Sequence, residues 1–244
     1  MTKKLGILIS GGGTTMAEII KACQSGEIPN LEVACIISSS PKALGIAKAK
    51  NLNISPENIM VINPNNFRNQ FQKIDQTAFG LALIKELKSR GVTLVTQNGW
   101  LPFTPEIVLD AFPNAIFNQH PGPVPEFGGK GMYGIRVHEA IINFSRKTGR
   151  IDPWTEVIGQ RVANKYDAGA VIKSARVKIF KNDTAETLRA RALPVEHRVQ
   201  IDMLKDIMAN CIVAKNKTEI LVHPGQEEIL IEAKQSAINK YPLG

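Results

Sequence analysis

Asn118 and His120 stand two residues apart behind a short apolar run, Ala115-Ile116-Phe117, and are followed by Pro121-Gly122-Pro123. On an extended strand, residues two apart project from one face. The Asn amide can donate a hydrogen bond, and the His ring can take up or release a proton near neutral pH. The prolines and glycine stop the strand and open a loop. In an open α/β sheet, such a strand end is where ligands bind. Farther on, Lys165-Tyr166-Asp167-Ala168-Gly169 reads as a turn between two strands, and its acid can reach His120 if those strands lie beside the sheet's C-terminal edge. A carboxylate beside an imidazole favours the protonated ring and fixes its orientation. The expectation is therefore a charged His120 held by Asp167.

A second group lies near the start of the chain, where Ser10-Gly11-Gly12-Gly13-Thr14-Thr15 joins a first strand to a first helix. Glycines let a backbone approach an anion, and a helix N-terminus offers it free N–H groups. The preferred ligand is the phosphate of a small substrate. No Gly-Lys-Ser/Thr follows, which excludes a P-loop, and Met16 stands where a dinucleotide fingerprint has its third glycine. The second strand ends in Ser38-Ser39-Ser40 and not in a ribose-binding acid. A phosphorylated nicotinamide cofactor held by those serines and Lys42 stays open as an alternative. So does a tight turn that binds nothing.

The elements that must position these groups follow from periodicity. Strands are expected at Leu5–Ile9, Leu31–Ile37, Ile59–Ile62, Val92–Thr96 and Ala115–Phe117. Helices are expected at Met16–Gln24, Ala43–Asn51 and Tyr133–Phe144, and over a long stretch Phe67–Arg90 with Phe67, Phe71, Ile74, Ala78, Leu81 and Ile84 near one face. Thr155–Val162 and Ala170–Ile179 read as antiparallel strands, Thr184–Asn210 as a long helix, and Glu219–Val222 and Glu228–Glu232 as two short strands. Alternating strand and helix predict an α/β fold: an open, mainly parallel sheet with helices on both faces and antiparallel strands in the C-terminal half. One domain is expected over residues 1–210, with an extension, 211–244, packed on it.

Composition narrows the function. Of 244 residues, 43% are hydrophobic and 21% charged, ordinary for a globular protein. No apolar run approaches the roughly 20 residues of a membrane span. The opening Met1-Thr2-Lys3-Lys4-Leu5 runs straight into a strand, so no signal peptide is expected. Three scattered cysteines, Cys23, Cys35 and Cys211, suggest reduced thiols in the cytoplasm. His138, His197 and His223 lack metal-ligand spacing, so no metal is expected. The net charge of +8 fits a solvated basic surface or an anionic substrate, while the absence of basic runs interleaved with aromatics argues against nucleic acid as a partner. No membrane partner is expected, and the chain is read as a monomer or homodimer.

Four motifs in order, Ser10-Gly11-Gly12-Gly13-Thr14-Thr15, Asn98-Gly99-Trp100-Leu101, Asn118-Gln119-His120-Pro121 and Tyr166-Asp167-Ala168-Gly169, resemble those of the folate-dependent formyltransferases. Phe127–Gly134 and Leu193-Pro194-Val195-Glu196-His197-Arg198 are similar as well, so the resemblance covers about residues 4 to 210. It implies a Rossmann-like formyltransferase fold. It also implies transfer of a formyl group from 10-formyltetrahydrofolate, as co-substrate, to the amine of glycinamide ribonucleotide in purine synthesis. Asn118, His120 and Asp167 would be catalytic. Gly12, Gly13, Thr14, Thr15 and Gly99 would hold the acceptor and its phosphate, and Glu196 its ribose. Trp100, Leu101, Phe103 and Asp167 would line the pterin pocket.

The chain departs from that family's usual pattern at Thr14-Thr15 and at Gly122-Pro123-Val124-Pro125, and its pterin segment Trp100–Thr104 is one residue short. Rivals with the same three catalytic residues are a formyltransferase acting on a charged tRNA, for which about 35 residues after Asn210 are too few for the RNA-binding domain, and a formyltetrahydrofolate hydrolase. A non-catalytic nucleotide- or folate-binding module is the alternative from another class.

Overall fold

In the computed structural model, residues 2–215 and 221–243 are described. Seven strands, β1 (Lys3–Ile9), β2 (Leu31–Ser38), β3 (Ile59–Val61), β4 (Leu94–Gln97), β5 (Ile116–His120), β6 (Trp154–Arg161) and β7 (Val171–Lys178), form one sheet in the order β3-β2-β1-β4-β5-β6-β7. Pairing is parallel from β3 through β5, and antiparallel between β5 and β6 and between β6 and β7. The helices are α1 (Thr14–Gln24), α2 (Leu44–Asn51), α3 (Gln76–Ser89), α4 (Glu106–Ala111), α5 (Ile135–Lys147), α6 (Ala185–Met208) and α7 (Glu227–Lys240). The expected mainly parallel α/β sheet with an antiparallel C-terminal half is what forms.

Strand alternation explains the layering. Leu5, Ile7 and Ile9 of β1, Leu94 of β4 and Phe117 of β5 enter one core cluster with α1 and α6. Their neighbours Leu8, Val95 and Ile116 enter another with α3 and α4. Successive side chains of a strand face opposite ways, so these clusters lie on opposite faces of the sheet. A third cluster packs α5, α6 and α7 over Val157 of β6 and Val177 of β7. Chain order runs outward from β1 to β3 on one side and from β4 to β5 on the other. The loops after β1 and β4 therefore part at a topological switch point, where α/β sheets bind ligands.

Three expectations need correction. The helix expected from Phe67 begins at Gln76, because the Asp75 side chain caps it by accepting from Ala78 N at 3.0 Å. Before it, Asn69 Oδ1 accepts from Phe71 N and Lys73 N, and Gln72 has a φ of 59°, so local side-chain bonds turn the chain out of a helix. The buried face is Phe79, Leu83 and Leu87, while Phe71 and Leu81 are exposed. Secondly, β5 does not stop at Phe117 but continues through His120, since β6 pairs with it from Phe117 to His120. Thirdly, Glu228–Glu232 is not a strand but lies inside α7. Acids in the first turn suit a helix N-terminus, and Ala233 and Ala237 supply the buried face. Of the other expected tail strand, Glu219 and Ile220 lie outside the described residues.

Candidate active site

The loops after β1 and β4 are fastened together: Ser10 N donates to the Gly99 carbonyl at 3.0 Å, and Leu101 N to Ser10 Oγ at 2.9 Å. Between them and the end of β5 opens a cleft of about 570 Å³, within the usual range for a small-molecule site. Gly12, Gly13, Thr14, Thr15, Gly99, Trp100, Leu101, Phe103, Asn118, His120, Asp167 and Glu196 all line it.

Asp167 is the centre of the polar wall. Two close bonds hold its carboxylate: Gln160 Nε2 donates to Oδ1 at 2.9 Å and Gly129 N to Oδ2 at 2.9 Å. Two longer contacts reach Oδ1, from Asn118 Nδ2 at 3.5 Å and from His120 Nδ1 at 3.5 Å. The close partners are fixtures. The loose ones leave Asn118 and His120 able to move onto a substrate, as catalytic hydrogen bonds often tighten only in the reacting complex.

His120 is buried on β5, and its Nε2 lies 3.2 Å from the Phe127 carbonyl. A carbonyl only accepts, so that nitrogen carries the proton, and in the neutral ring Nδ1 keeps its lone pair. Burial pulls the ring's pKa below that of a free histidine, and the Asp167 charge and the Phe127 carbonyl only partly offset it. Burial therefore works against the expected charging of the ring by its carboxylate. In the neutral form that burial favours, Nδ1 lies toward Asp167, and the carboxylate is placed to stabilise the imidazolium once a proton arrives.

The glycine loop presents open backbone. Gly13, with a φ of 62°, is the residue before α1, and a Cβ there would meet the Gly45 Cα at 2.7 Å, so α2 packs directly on it. A Cβ at Gly11 or Gly12 would meet nothing within 4 Å. The backbone next to the α1 N-terminus is therefore approachable, which is what an anion needs. Thr14 is exposed and Thr15 buried.

Glu196, on α6, is buried and accepts a hydrogen bond from Gln119 Nε2. Gln119 lies between Asn118 and His120 on β5, so it serves the opposite face of the strand, where its Oε1 also accepts from Asn98 Nδ2 at 3.3 Å. Burial pushes the Glu196 carboxyl up to about 7, against the pull of the Gln119 bond and the Arg189 charge. An acid whose pKa is higher folded than unfolded destabilises the fold as pH rises from its ordinary value of 4.5 toward 7. Glu196→Gln is therefore expected to be more stable than the parent by about 3 kcal/mol near pH ~8 and nearly equal near pH ~4.5. Denaturant melts of both proteins at the two pH values check this, and an equal gap at both would contradict it.

The apolar wall is uneven. Leu101 is half exposed, and Phe103 meets Tyr166 edge-on at 5.2 Å. Trp100 lines the cleft, but its indole is a core side chain, nearly parallel to Phe79 at 6.3 Å. Sequence reasoning missed Gln160, which faces Asn118 across the β5–β6 ladder, and the two backbone groups, Phe127 C=O and Gly129 N–H. It also missed His138 of α5, which lines the cleft with its pKa pushed down to about 3 by burial. No side-chain motif marks any of these.

Residues 3–204 match the family model described as formyl transferase. The chain is 30% identical over 203 residues to a chloroplastic phosphoribosylglycinamide formyltransferase of Arabidopsis thaliana, covering 83% of this chain and 64% of that relative. It is 30% identical over 203 residues to the phosphoribosylglycinamide formyltransferase of Haemophilus influenzae, covering 81% of this chain and 83% of that one. The chain thus spans less than two thirds of the Arabidopsis relative and, at 62%, of the Vigna unguiculata one. Among solved structures, glycinamide ribonucleotide transformylase 1 of Symbiobacterium toebii superposes with a TM-score of 0.74 at 28% identity, over 88% of this chain and 92% of that one. Phosphoribosylglycinamide formyltransferase of Bacillus halodurans gives 0.71 at 25% identity, over 85% and 96%.

Proposed function

The chain belongs to the formyl transferase family, and from that premise we propose that it moves a formyl group from 10-formyltetrahydrofolate to the amine of glycinamide ribonucleotide, a step of purine biosynthesis. The observation that carries the reading is the convergence of Asn118 Nδ2 and His120 Nδ1 on Asp167 Oδ1, both at 3.5 Å, in a cleft that also opens on the bare Gly11–Gly12 backbone. The relatives named above supply the acceptor.

The acceptor's phosphate is read as lying against the glycine loop, with the ribose hydroxyls at Glu196 and the pterin between Leu101 and Phe103. The amine nitrogen attacks the formyl carbon, and the bond from that carbon to the folate nitrogen breaks. Asn118 donates to the formyl oxygen as it gains negative charge. Neutral His120 takes the amine proton at Nδ1, and Asp167 stabilises the resulting imidazolium. The ring then gives the proton to the leaving folate nitrogen. Every atom is accounted for without a covalent enzyme intermediate. Residues 1–210 are the catalytic domain in this reading, and 211–244 its extension. The setting is the cytoplasm; among the described residues no helix is long and apolar enough to cross a membrane.

Purified protein given 10-formyltetrahydrofolate should release deformylated folate only when glycinamide ribonucleotide is present. Turnover without an amine would make the protein a hydrolase, and no turnover with either acceptor would overturn the reading.

A further inference from the structure

Three successive carbonyls of the loop after β5, and the N–H that follows them, are divided among three partners, Lys234, His120 and Asp167. The carbonyls of Glu126 and Gly128 accept from Lys234 Nζ at 3.0 and 2.7 Å. The carbonyl between them, that of Phe127, meets His120 Nε2 at 3.2 Å. The next N–H, that of Gly129, donates to Asp167 Oδ2 at 2.9 Å. Lys234 comes from α7, more than 100 residues away in the chain. One ammonium thus grips the two carbonyls on either side of the one that faces the histidine.

We propose that Lys234 is a positioning residue: by clamping the Glu126 and Gly128 carbonyls it holds the Phe127 carbonyl on His120 Nε2, and so keeps Nδ1 as the nitrogen that works on the substrate. The role rests on the formyl-transfer reading, though the clamp itself is a property of the fold. A neutral imidazole has one proton, and the hydrogen bond made at one nitrogen decides which nitrogen stays open. Releasing the Phe127 carbonyl lets the proton move to Nδ1, where it would face Asp167 and be unable to accept from an amine.

The surroundings suit a clamp. Ala233 and Ala237 bury α7 against α5 in the third core cluster, and their small side chains let the two helices approach closely. Beyond α7, Arg136 donates to the Tyr241 and Pro242 carbonyls, each at 2.7 Å, and to the Gly131 carbonyl at 2.9 Å. The end of the helix is thereby tied to the same loop four residues beyond Phe127. The titratable groups around His120 are Asp167 from the β6–β7 turn, Lys234 from α7 and His138 from α5, the last held neutral by burial. Burial lowers the Lys234 pKa, and the Asp167 and Glu126 charges oppose that.

The test compares the full chain with Lys234→Met, Lys234→Gln and Lys240→Met. Lys240, the last residue of α7, pairs with Glu139 of α5 at 2.9 Å, so its variant measures the loss of an α7 ion pair alone. Imidazole ¹⁵N spectra report which His120 nitrogen carries the proton. The parent and Lys240→Met should show it on Nε2, and Lys234→Met should show a mixture of tautomers. The kcat of Lys234→Met should fall roughly 10- to 100-fold, the scale of an ångström's misplacement, with KM for the amine acceptor within about twofold. Lys234→Gln, which keeps one donor, should fall between and stands in should the methionine variant fail to fold. A parental tautomer in both Lys234 variants, or an equal kcat loss in Lys240→Met, would overturn the proposal. An inert parent whose tautomer still shifts with Lys234→Met would remove the formyl-transfer reading and leave the clamp. An active parent whose tautomer does not shift would do the reverse.

Discussion

Asp167→Asn should lower kcat roughly 10³- to 10⁴-fold while leaving KM for the amine acceptor within about threefold. The substitution preserves volume and removes two things. The first is hydrogen-bond capacity: Oδ1 accepts from Gln160 Nε2 at 2.9 Å and Oδ2 from Gly129 N at 2.9 Å. An amide has one oxygen, so its NH₂ must face one of those donors, and the group turns or moves away. The second is the charge that stabilises the imidazolium. Asp167 is what raises the His120 pKa against burial, so without it the ring accepts the amine proton still less readily. The expected binding contacts of the nucleotide, at the glycine loop and Glu196, touch neither loss, which is why KM should hold. His120→Ala should cost as much, and the double variant little more, since the two residues act as one unit. Steady-state rates for the three proteins check this. A kcat for Asp167→Asn within tenfold of the parent would remove the carboxylate from the chemistry.

The ease with which parts of this site are read from sequence follows from what kind of group each part is. Asn118, His120, Asp167 and the Ser10–Thr15 loop are side chains or glycines at strand ends, where residue type and spacing carry the signal. The parallel sheet is equally legible, because Leu5–Ile9, Leu31–Ile37 and Ala115–Phe117 alternate with helical stretches. The groups that tune the site are not. Gln160 faces Asn118 only because of the β5–β6 register, which no local pattern encodes. The Phe127 carbonyl and Gly129 N–H belong to backbone that any sequence has. The charge on His120 depends on how deeply β5 is buried as well as on the carboxylate, and the two act in opposite directions. The late start of α3 has another cause: Asn69 and Asp75 bond to nearby backbone, and six well-spaced apolar residues outvoted them in the periodicity. In the tail, Glu228–Glu232 reads as a strand, while the burial of Ala233 and Ala237 shows a helix packed through its smallest residues.

Gly169→Ala should damage fold and site together. A Cβ at this position would lie 1.7 Å from the Arg161 carbonyl oxygen and 2.7 Å from its carbon, both backbone atoms that cannot rotate away. Restoring ordinary contact requires a shift of well over an ångström where Arg161 N donates to the Ala170 carbonyl at 2.9 Å and closes the β6–β7 connection. That connection carries Asp167, which already sits at a φ of 50°, a left-handed conformation uncommon outside glycine. The turn must lift or the strand end must part, and either displaces the carboxylate from Gln160 and Gly129. A stability loss of roughly 3 kcal/mol or more is expected, with kcat down by about 10²-fold or more in whatever remains folded. Gly128→Ala provides the contrast. Its Cβ would press on the Asp167 side chain, at 2.6 Å from Cβ and 3.0 Å from Oδ2. Asp167 Cβ moves only with its own backbone, but the overlap at 2.6 Å is milder than the 1.7 Å one at Gly169, so this variant should lose activity with a smaller loss of stability. Thermal unfolding measured beside kcat separates the two, and a parental melting temperature for Gly169→Ala would show that the turn does not depend on this glycine.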